Sequence, residues 1–275
     1  MLIAVIHKQK TKEAEMNLLT LPINFCGIPS NKGVEYAPEK ILKELKKGIL
    51  NEDGISPNFD IKEFKNTKSI DQELPDTVSK ILKESGRLLT LGGDHMLTYF
   101  LVGGFASISN NPGIVIFDAH PDAREKYYSL PYDLLRVIIS NNVIKKENII
   151  IVGLREWSLD ELQFMRTNRI RYFDMKGIAE YGLKDIFEAV MELANAFSDL
   201  YVSIDIDAVD PSSAPGTLYP VPGGLSSREL LFCLNRLKKM KNLKAVDIME
   251  VNPDKDINGI TVKLAAKLAA EMYFS

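Results

Sequence analysis

The sequence predicts an α/β fold on a largely parallel sheet, and three observations predict it. Short β-rich runs alternate with helical patterns along the chain. Runs such as residues 113–117 and 201–206 are almost wholly apolar before their first charge, as in strands buried on both faces. No Pro/Gly/Ser-rich linker, charge block or repeat interrupts the alternation, so residues 1–275 read as a single domain. With 45% hydrophobic and 26% charged residues, the chain can bury a core and is not disordered.

In chain order, residues 1–15 read as an N-terminal extension, either an added strand or the result of a mis-called start before Met16. The first strand is LLTLPINF (18–25), followed by a helical pattern over 38–47. NFDIKEF (58–64) alternates as a second strand, and 72–85 is helical. RLLTL (87–91) and GIVIF (113–117) are apolar strands, with a helix over 131–140. NIIIV (148–152) precedes a helix over 158–167, and RIRYF (169–173) precedes one over 183–196. LYVSIDI (200–206) and LKAVDIME (243–250) are the last strands, with helices over 226–238 and 258–272.

Charge and composition exclude several functions. A net charge of -3 provides no basic field for nucleic acid or an anionic membrane. No apolar run reaches the roughly 20 residues that span a bilayer. Met1 to Ile6 is apolar but turns polar from His7 to Lys12, too short for a signal peptide, so a cytoplasmic protein is expected. Cys26 and Cys233 cannot make a disulfide framework or a thiolate metal cage.

In open α/β sheets, ligands bind at the carboxyl ends of strands. Four strand ends in this sequence carry acids and imidazoles: Asp94 and His95; Asp118, His120 and Asp122; Asp205, Asp207 and Asp210; Asp247 and Glu250. A lone aspartate there usually caps the next helix. A set containing two of only three histidines is different. Burying several carboxylates is costly unless cations sit among them. His95, Asp118, His120, Asp122, Asp205 and Asp207 form a ligand set whose four carboxylates balance two divalent ions. Mixed carboxylate and imidazole donors suit Mn²⁺, and also Zn²⁺, Fe²⁺ or Co²⁺. Gly92 and Gly93 allow close backbone approach or positive φ.

The segments GGDH (92–95), DAHPD (118–122), SIDIDAVDPSSAPGT (203–217) and EVNP (250–253) resemble those of the ureohydrolases, the arginase and agmatinase family. FCGIPSNKG, APEKIL, GGLSSREL and LAAKLAAE agree, from about Asn24 to Glu271. The resemblance, closest in pattern to agmatinases, implies a three-layer α/β/α fold with a mostly parallel eight-stranded sheet and two Mn²⁺ ions. One ion would take His95, Asp118, Asp122 and Asp205; the other would take His120, Asp118, Asp205 and Asp207. Asp118 and Asp205 would bridge, and Asp122 would orient a hydroxide. Glu250 would receive the substrate guanidinium. Attack on the guanidinium carbon would release urea and an amine. A homo-oligomer, trimer or hexamer, is expected on the same ground.

The sequence also departs from the family. Ser129 and Arg136 match its pattern, but Leu130, followed by Pro131, stands where a proton-shuttling His is expected. The leaving amine would then take its proton from water, from Tyr127, Tyr128 or Tyr132, or from remote His7. The Asn and Ser pattern that holds the α-carboxylate of arginine is missing, which favours agmatine or another ω-guanidino compound. Leu218 and Tyr219 alter a small-residue turn and could line the distal pocket, as could Tyr127 and Tyr128. The alternatives are a related formimino or amidine hydrolase, and a metal-bound regulatory or binding homologue without turnover.

Overall fold

The computed structural model describes residues 16–125 and 133–273. The expected extension and Leu130, with Tyr127, Tyr128, Ser129, Pro131, Tyr132 and His7, lie outside the described residues. The strands are β1 (Met16–Thr20), β2 (Phe59–Glu63), β3 (Leu88–Leu91), β4 (Pro112–Phe117), β5 (Ile149–Leu154), β6 (Arg171–Asp174), β7 (Asp199–Asp205) and β8 (Leu243–Met249). They form one eight-stranded sheet in the order β2-β1-β3-β8-β7-β4-β5-β6, with every pairing parallel.

The helices are α1 (Ala37–Leu45), α2 (Ile70–Ser85), α3 (Leu97–Ala106), α4 (Leu134–Ser140), α5 (Leu159–Asn168), α6 (Met175–Tyr181), α7 (Leu183–Asn195), α8 (Ser227–Leu237) and α9 (Ile260–Glu271). Alternate strand residues point to opposite faces, so each strand feeds two cores. Leu89, Leu91, Val115, Phe117, Val202 and Ile204 pack with α1, α6, α7, α8 and α9. Leu88, Ile114, Ile116, Ile151 and Tyr201 pack with α2, α3, α4 and α5. No helix among the described residues is long and apolar enough to cross a membrane.

Four elements differ from expectation, each for a local reason. The first strand ends at Thr20, because Pro22 has no N–H to continue a ladder and Ile23 N donates back to Leu21 O at 2.8 Å. The strand expected from Arg169 begins at Arg171, because Arg169 adopts φ 54° as the left-handed cap of α5. Helix α3, LTYFLVGGFA, buries seven of its ten residues, so it lacks the polar face that reveals a helix in sequence. Helix α6 is also additional, and Asp174 caps it by accepting from Gly177 N at 2.7 Å.

The register aligns the site. Leu91 pairs with Ile248, Ile248 with Ile204, Ile204 with Phe117, and Phe117 with Val152. One row across the sheet therefore marks where β3, β8, β7 and β4 end. The rare side chains lie just beyond it.

Candidate metal centre

Each side chain of the site has an identifiable local support. Gly93 follows β3 so closely against the β1 extension that an added Cβ would meet Ile23 O at 1.8 Å. Close approach, not positive φ, is what the Gly pair supplies. Gly93 O accepts from Glu250 N at 2.9 Å, tying the ends of β3 and β8. Asp122 and Glu250 adopt φ 47° and 61°, a left-handed backbone costly for a side chain and found where the surrounding structure enforces it. At Asp122 that enforcement comes from α4: Leu135 N donates to Asp122 O at 2.9 Å, and Arg136 Nε donates to Ala123 O.

His95 and His120 both turn Nδ1 into the acids. His95 Nδ1 lies 3.2 Å from Asp118 Oδ2, 3.2 Å from Asp122 Oδ2 and 3.3 Å from Asp205 Oδ2. His120 Nδ1 lies 2.9 Å from Asp207 Oδ2 and 3.7 Å from Asp118 Oδ1. Among the described residues, two groups have donor atoms close enough to hold an ion: His95, Asp118 and Asp122; and Asp118, His120 and Asp207. Asp118 belongs to both, one oxygen towards each imidazole. Asp205 stands beside the first group and steadies the second, its Oδ1 accepting from Asp207 N at 2.8 Å.

The electrostatics show a site short of positive charge. Burial pushes the Asp118 carboxyl up to about 6, with the charges of Asp207 and Asp122 acting in the same direction. Burial raises Asp205 further, again helped by Asp207 and Asp118. Burial alone would lower His120, yet its hydrogen bonds to Asp118 and Asp207 push it up to about 12. Four carboxylates thus share two imidazoles, and the oxygen and nitrogen donors present fit divalent cations.

Glu250 faces the same cavity. Its Oε1 accepts from His95 N at 2.8 Å and its Oε2 from Asn31 Nδ2 at 2.9 Å. Burial, followed by the charge of Asp94, pushes its carboxyl up to about 8. The cavity is lined by both histidines, Asp122, Asp205, Asp207 and Glu250, with Arg124, Glu161, Thr217, Leu218 and Tyr219 around them. Leu218 and Tyr219 are thus on the wall of this cavity.

The remaining strand-end acids divide by role. Asp94 is buried and accepts from Cys26 N at 3.0 Å and Cys26 Sγ at 3.3 Å. Asp210 organises its own loop through Ser212, Gly223 and Gly224 N–H groups. Asp247 is not a cap: it lies inside β8, fully buried. It accepts from Thr98 Oγ1 at 2.8 Å, Tyr201 Oη at 2.7 Å and Ser203 Oγ at 2.7 Å. Ser203 Oγ also lies 3.0 Å from His95 Nε2. A hydroxyl anchored on Asp247 therefore orients the His95 ring from behind, the arrangement that tunes a ligating imidazole.

Sequence reading missed Ser203, and it also missed Arg155, whose guanidinium donates to the carbonyls of Asp207 and Val221 at 2.6 and 2.7 Å. Ser203 carries a signal, since it stands two residues before Asp205 and points to the same side of the strand. Arg155 carries none, because its partners are backbone carbonyls.

A model of the arginase family matches residues 14–275. The chain is similar to an arginase of Staphylococcus aureus (strain COL), at 29% identity over 294 residues that cover 92% of this chain and 97% of that one. It superposes on formimidoylglutamase from Bacillus subtilis with a TM-score of 0.86 at 23% identity, covering 97% and 88% of the two chains. Proclavaminate amidino hydrolase from Streptomyces clavuligerus superposes with a TM-score of 0.81 at 28% identity, covering 94% and 91%. These relatives carry different activity names, so the likeness by itself selects no substrate. The chain belongs to the arginase family.

Proposed function

We propose that this arginase-family chain hydrolyses a C–N bond of a linear guanidino compound, releasing urea and an amine. The observation that carries the reading is Asp118 shared between two ligand groups whose other members, His95, Asp122, His120 and Asp207, line one cavity with Glu250. His95, Asp118, Asp122 and Asp205 would hold one divalent ion, and His120, Asp118, Asp205 and Asp207 the other, with manganese favoured by the donor set. Two such ions supply a nucleophilic hydroxide at neutral pH.

The chain's own groups do the rest. Glu250, held by His95 N and Asn31 Nδ2, accepts the planar guanidinium and presents its carbon to the acids. The arriving cation returns its burial-raised carboxyl to the ionised form. Asp122, 3.2 Å from His95 Nδ1, would accept a hydrogen bond from the attacking hydroxide and so orient it. Ser203 and Asp247 keep His95 Nδ1 facing inward.

The test is metal analysis of the purified protein after Mn²⁺ loading, together with urea release across a guanidino panel. About two ions per chain and urea from at least one substrate are expected. A single tight zinc, or two ions with no urea from any member, rejects the reading in favour of another metalloenzyme or a binding homologue.

A further inference from the structure

Asn252 is buried two residues beyond Glu250, just past the end of β8. Its main chain is tied to the cavity loop, where Asn252 N donates to Gly216 O at 2.7 Å. Its side chain is confined from the other direction. Gly33, at φ 109°, packs so closely that an added Cβ would meet Asn252 Oδ1 at 2.6 Å.

The two ends of a side-chain amide differ mainly in hydrogen-bonding role, so the neighbours decide which way round it stands. For Asn252 those neighbours include main-chain groups whose roles are fixed. Its Oδ1 accepts from Asp254 N at 3.1 Å, and its Nδ2 faces Asn31 O at 3.3 Å and Lys32 O at 3.2 Å. The same Nδ2 lies 3.2 Å from Asn31 Oδ1. Asn31 therefore turns its oxygen to Asn252 and its amino group the other way, where Nδ2 donates to Glu250 Oε2 at 2.9 Å. The reverse orientation would set donor against donor at Asn252 and a carbonyl lone pair against the carboxylate. Asn31 is 1% and Asn252 0% exposed, so water cannot repair a wrong pairing, and a buried polar group left unpaired is costly.

We infer that Asn252 is a positioning residue for guanidinium binding: it sets the Asn31 amide and through it holds the Glu250 carboxylate in place. The inference rests on the guanidino-hydrolase reading, since Glu250 must receive the guanidinium. A carboxylate offers roughly four acceptor sites over its two oxygens. His95 N occupies one on Oε1 and Asn31 Nδ2 one on Oε2, which leaves room on each oxygen for one arm of a planar fork. Without Asn252, the Asn31 amide is free to turn its oxygen towards Glu250. The carboxylate, carried on a left-handed backbone at φ 61°, then loses its Oε2 anchor.

The test is calorimetric binding of n-butylguanidine to the Mn²⁺-loaded protein, with urea release from the guanidino panel alongside. Asn252→Leu, close in volume but without a donor, should keep both ions and weaken butylguanidine binding by about 10-fold or more, the worth of one hydrogen bond to a charged group. Asn31→Leu should weaken it at least as much. On an Asn31→Leu background, Asn252→Leu should add less than about 2-fold, because it acts through Asn31, whereas a merely structural role would add in full. Metal content and circular dichroism check that each variant is folded, and Asn252→Ala repeats the test if leucine does not fit. Wild-type affinity in Asn252→Leu, or losses that add in the double variant, overturns the Asn252 assignment and leaves hydrolysis standing. A wild type that binds no butylguanidine overturns Glu250 as the guanidinium acceptor, and the assignment with it. The expected coupling without urea from any substrate supports Asn252 and overturns the hydrolase reading instead.

Discussion

Two buried acid sites lie on adjoining strands of this protein, and they solve the same problem in opposite ways. Asp247, inside β8, is a single carboxylate with three neutral hydroxyl donors at 2.7–2.8 Å. Its carboxyl is raised by burial, with no neighbouring acid adding to the effect. At the strand ends, Asp118 and Asp205 are raised by burial and then by each other's cluster partners, with two imidazoles as the positive groups in contact. Hydroxyls satisfy an isolated buried acid because hydrogen bonding alone compensates desolvation. A cluster needs positive charge as well: the two imidazoles and the nearby Arg155 guanidinium supply part of it, and divalent ions would supply the rest. The contrast separates an acid satisfied by hydroxyls from clustered acids that a divalent ion would relieve, without reference to any relative.

The largest effect that can break the comparison is at the shared acid. Asp118→Asn should lose ions from both groups and reduce urea release by more than about 100-fold, beyond the range typical of outer partners. Asp205→Asn should do the same. Metal content by mass spectrometry checks it, and two retained ions per chain would show that Asp118 is not shared.

Next comes Glu250, an acid in the cavity but outside both ligand groups. Glu250→Gln should keep both ions and lose about 100- to 1,000-fold in turnover, the scale of one electrostatic contact to the reacting group. Wild-type rates on every active substrate would remove it from substrate binding.

Asp247→Asn should act more weakly and through the metal. The hydroxyls can re-pair with an amide, so the fold should survive, while Mn²⁺ affinity falls about 10- to 100-fold through Ser203 and His95. Ser203→Ala should reproduce the loss, and Asp247→Asn on a Ser203→Ala background should add little more. Additive losses would show that Asp247 acts by another route.

The smallest effect sharpens the electrostatic side. In metal-free protein, Glu250 and Asp118 hold folded-state values of about 8 and about 6, above their ordinary 4.5 and 3.8. The folded state then binds more protons than the unfolded one, so stability falls as pH rises from about 5 to 8. His120, raised from 6.5 to about 12, contributes stability below its ordinary value that is lost as pH rises further. Thermal midpoints of the metal-free protein should therefore drop by several degrees across that window, and Mn²⁺ should reduce the slope by keeping Asp118 ionised. A flat metal-free profile would mean that the cluster is relieved in some other way.

Much of the site was legible before the structure. His95, Asp118, His120, Asp122, Asp205, Asp207 and Glu250 stand out because acids and imidazoles at the ends of apolar strands are chemically conspicuous, and all seven line or adjoin one cavity. The supporting groups were less visible. Asp247 reads like any strand-end acid until Thr98, Tyr201 and Ser203 are seen around it, and Thr98 lies on a helix with no amphipathic signal. Arg124 reads as a loop cation until the cavity wall includes it.

What the sequence determined by itself was local: strand and helix alternation, the burial of strands on both faces, and the chemistry concentrated at strand ends. These depend on residue type and spacing, which act over a few residues. Strand order is another matter. β3 and β4 are consecutive in the chain, yet β8 and β7, formed by residues 243–249 and 199–205, lie between them. That insertion makes neighbours of the four strands that carry His95, Glu250, Asp205 and Asp118, and a parallel register then brings their ends to one level. No local pattern encodes it, because the order is set by which apolar faces pack together across more than a hundred residues of chain. Only the tertiary structure could therefore decide that scattered acids become one charged site, and that Arg124 joins the wall of its cavity.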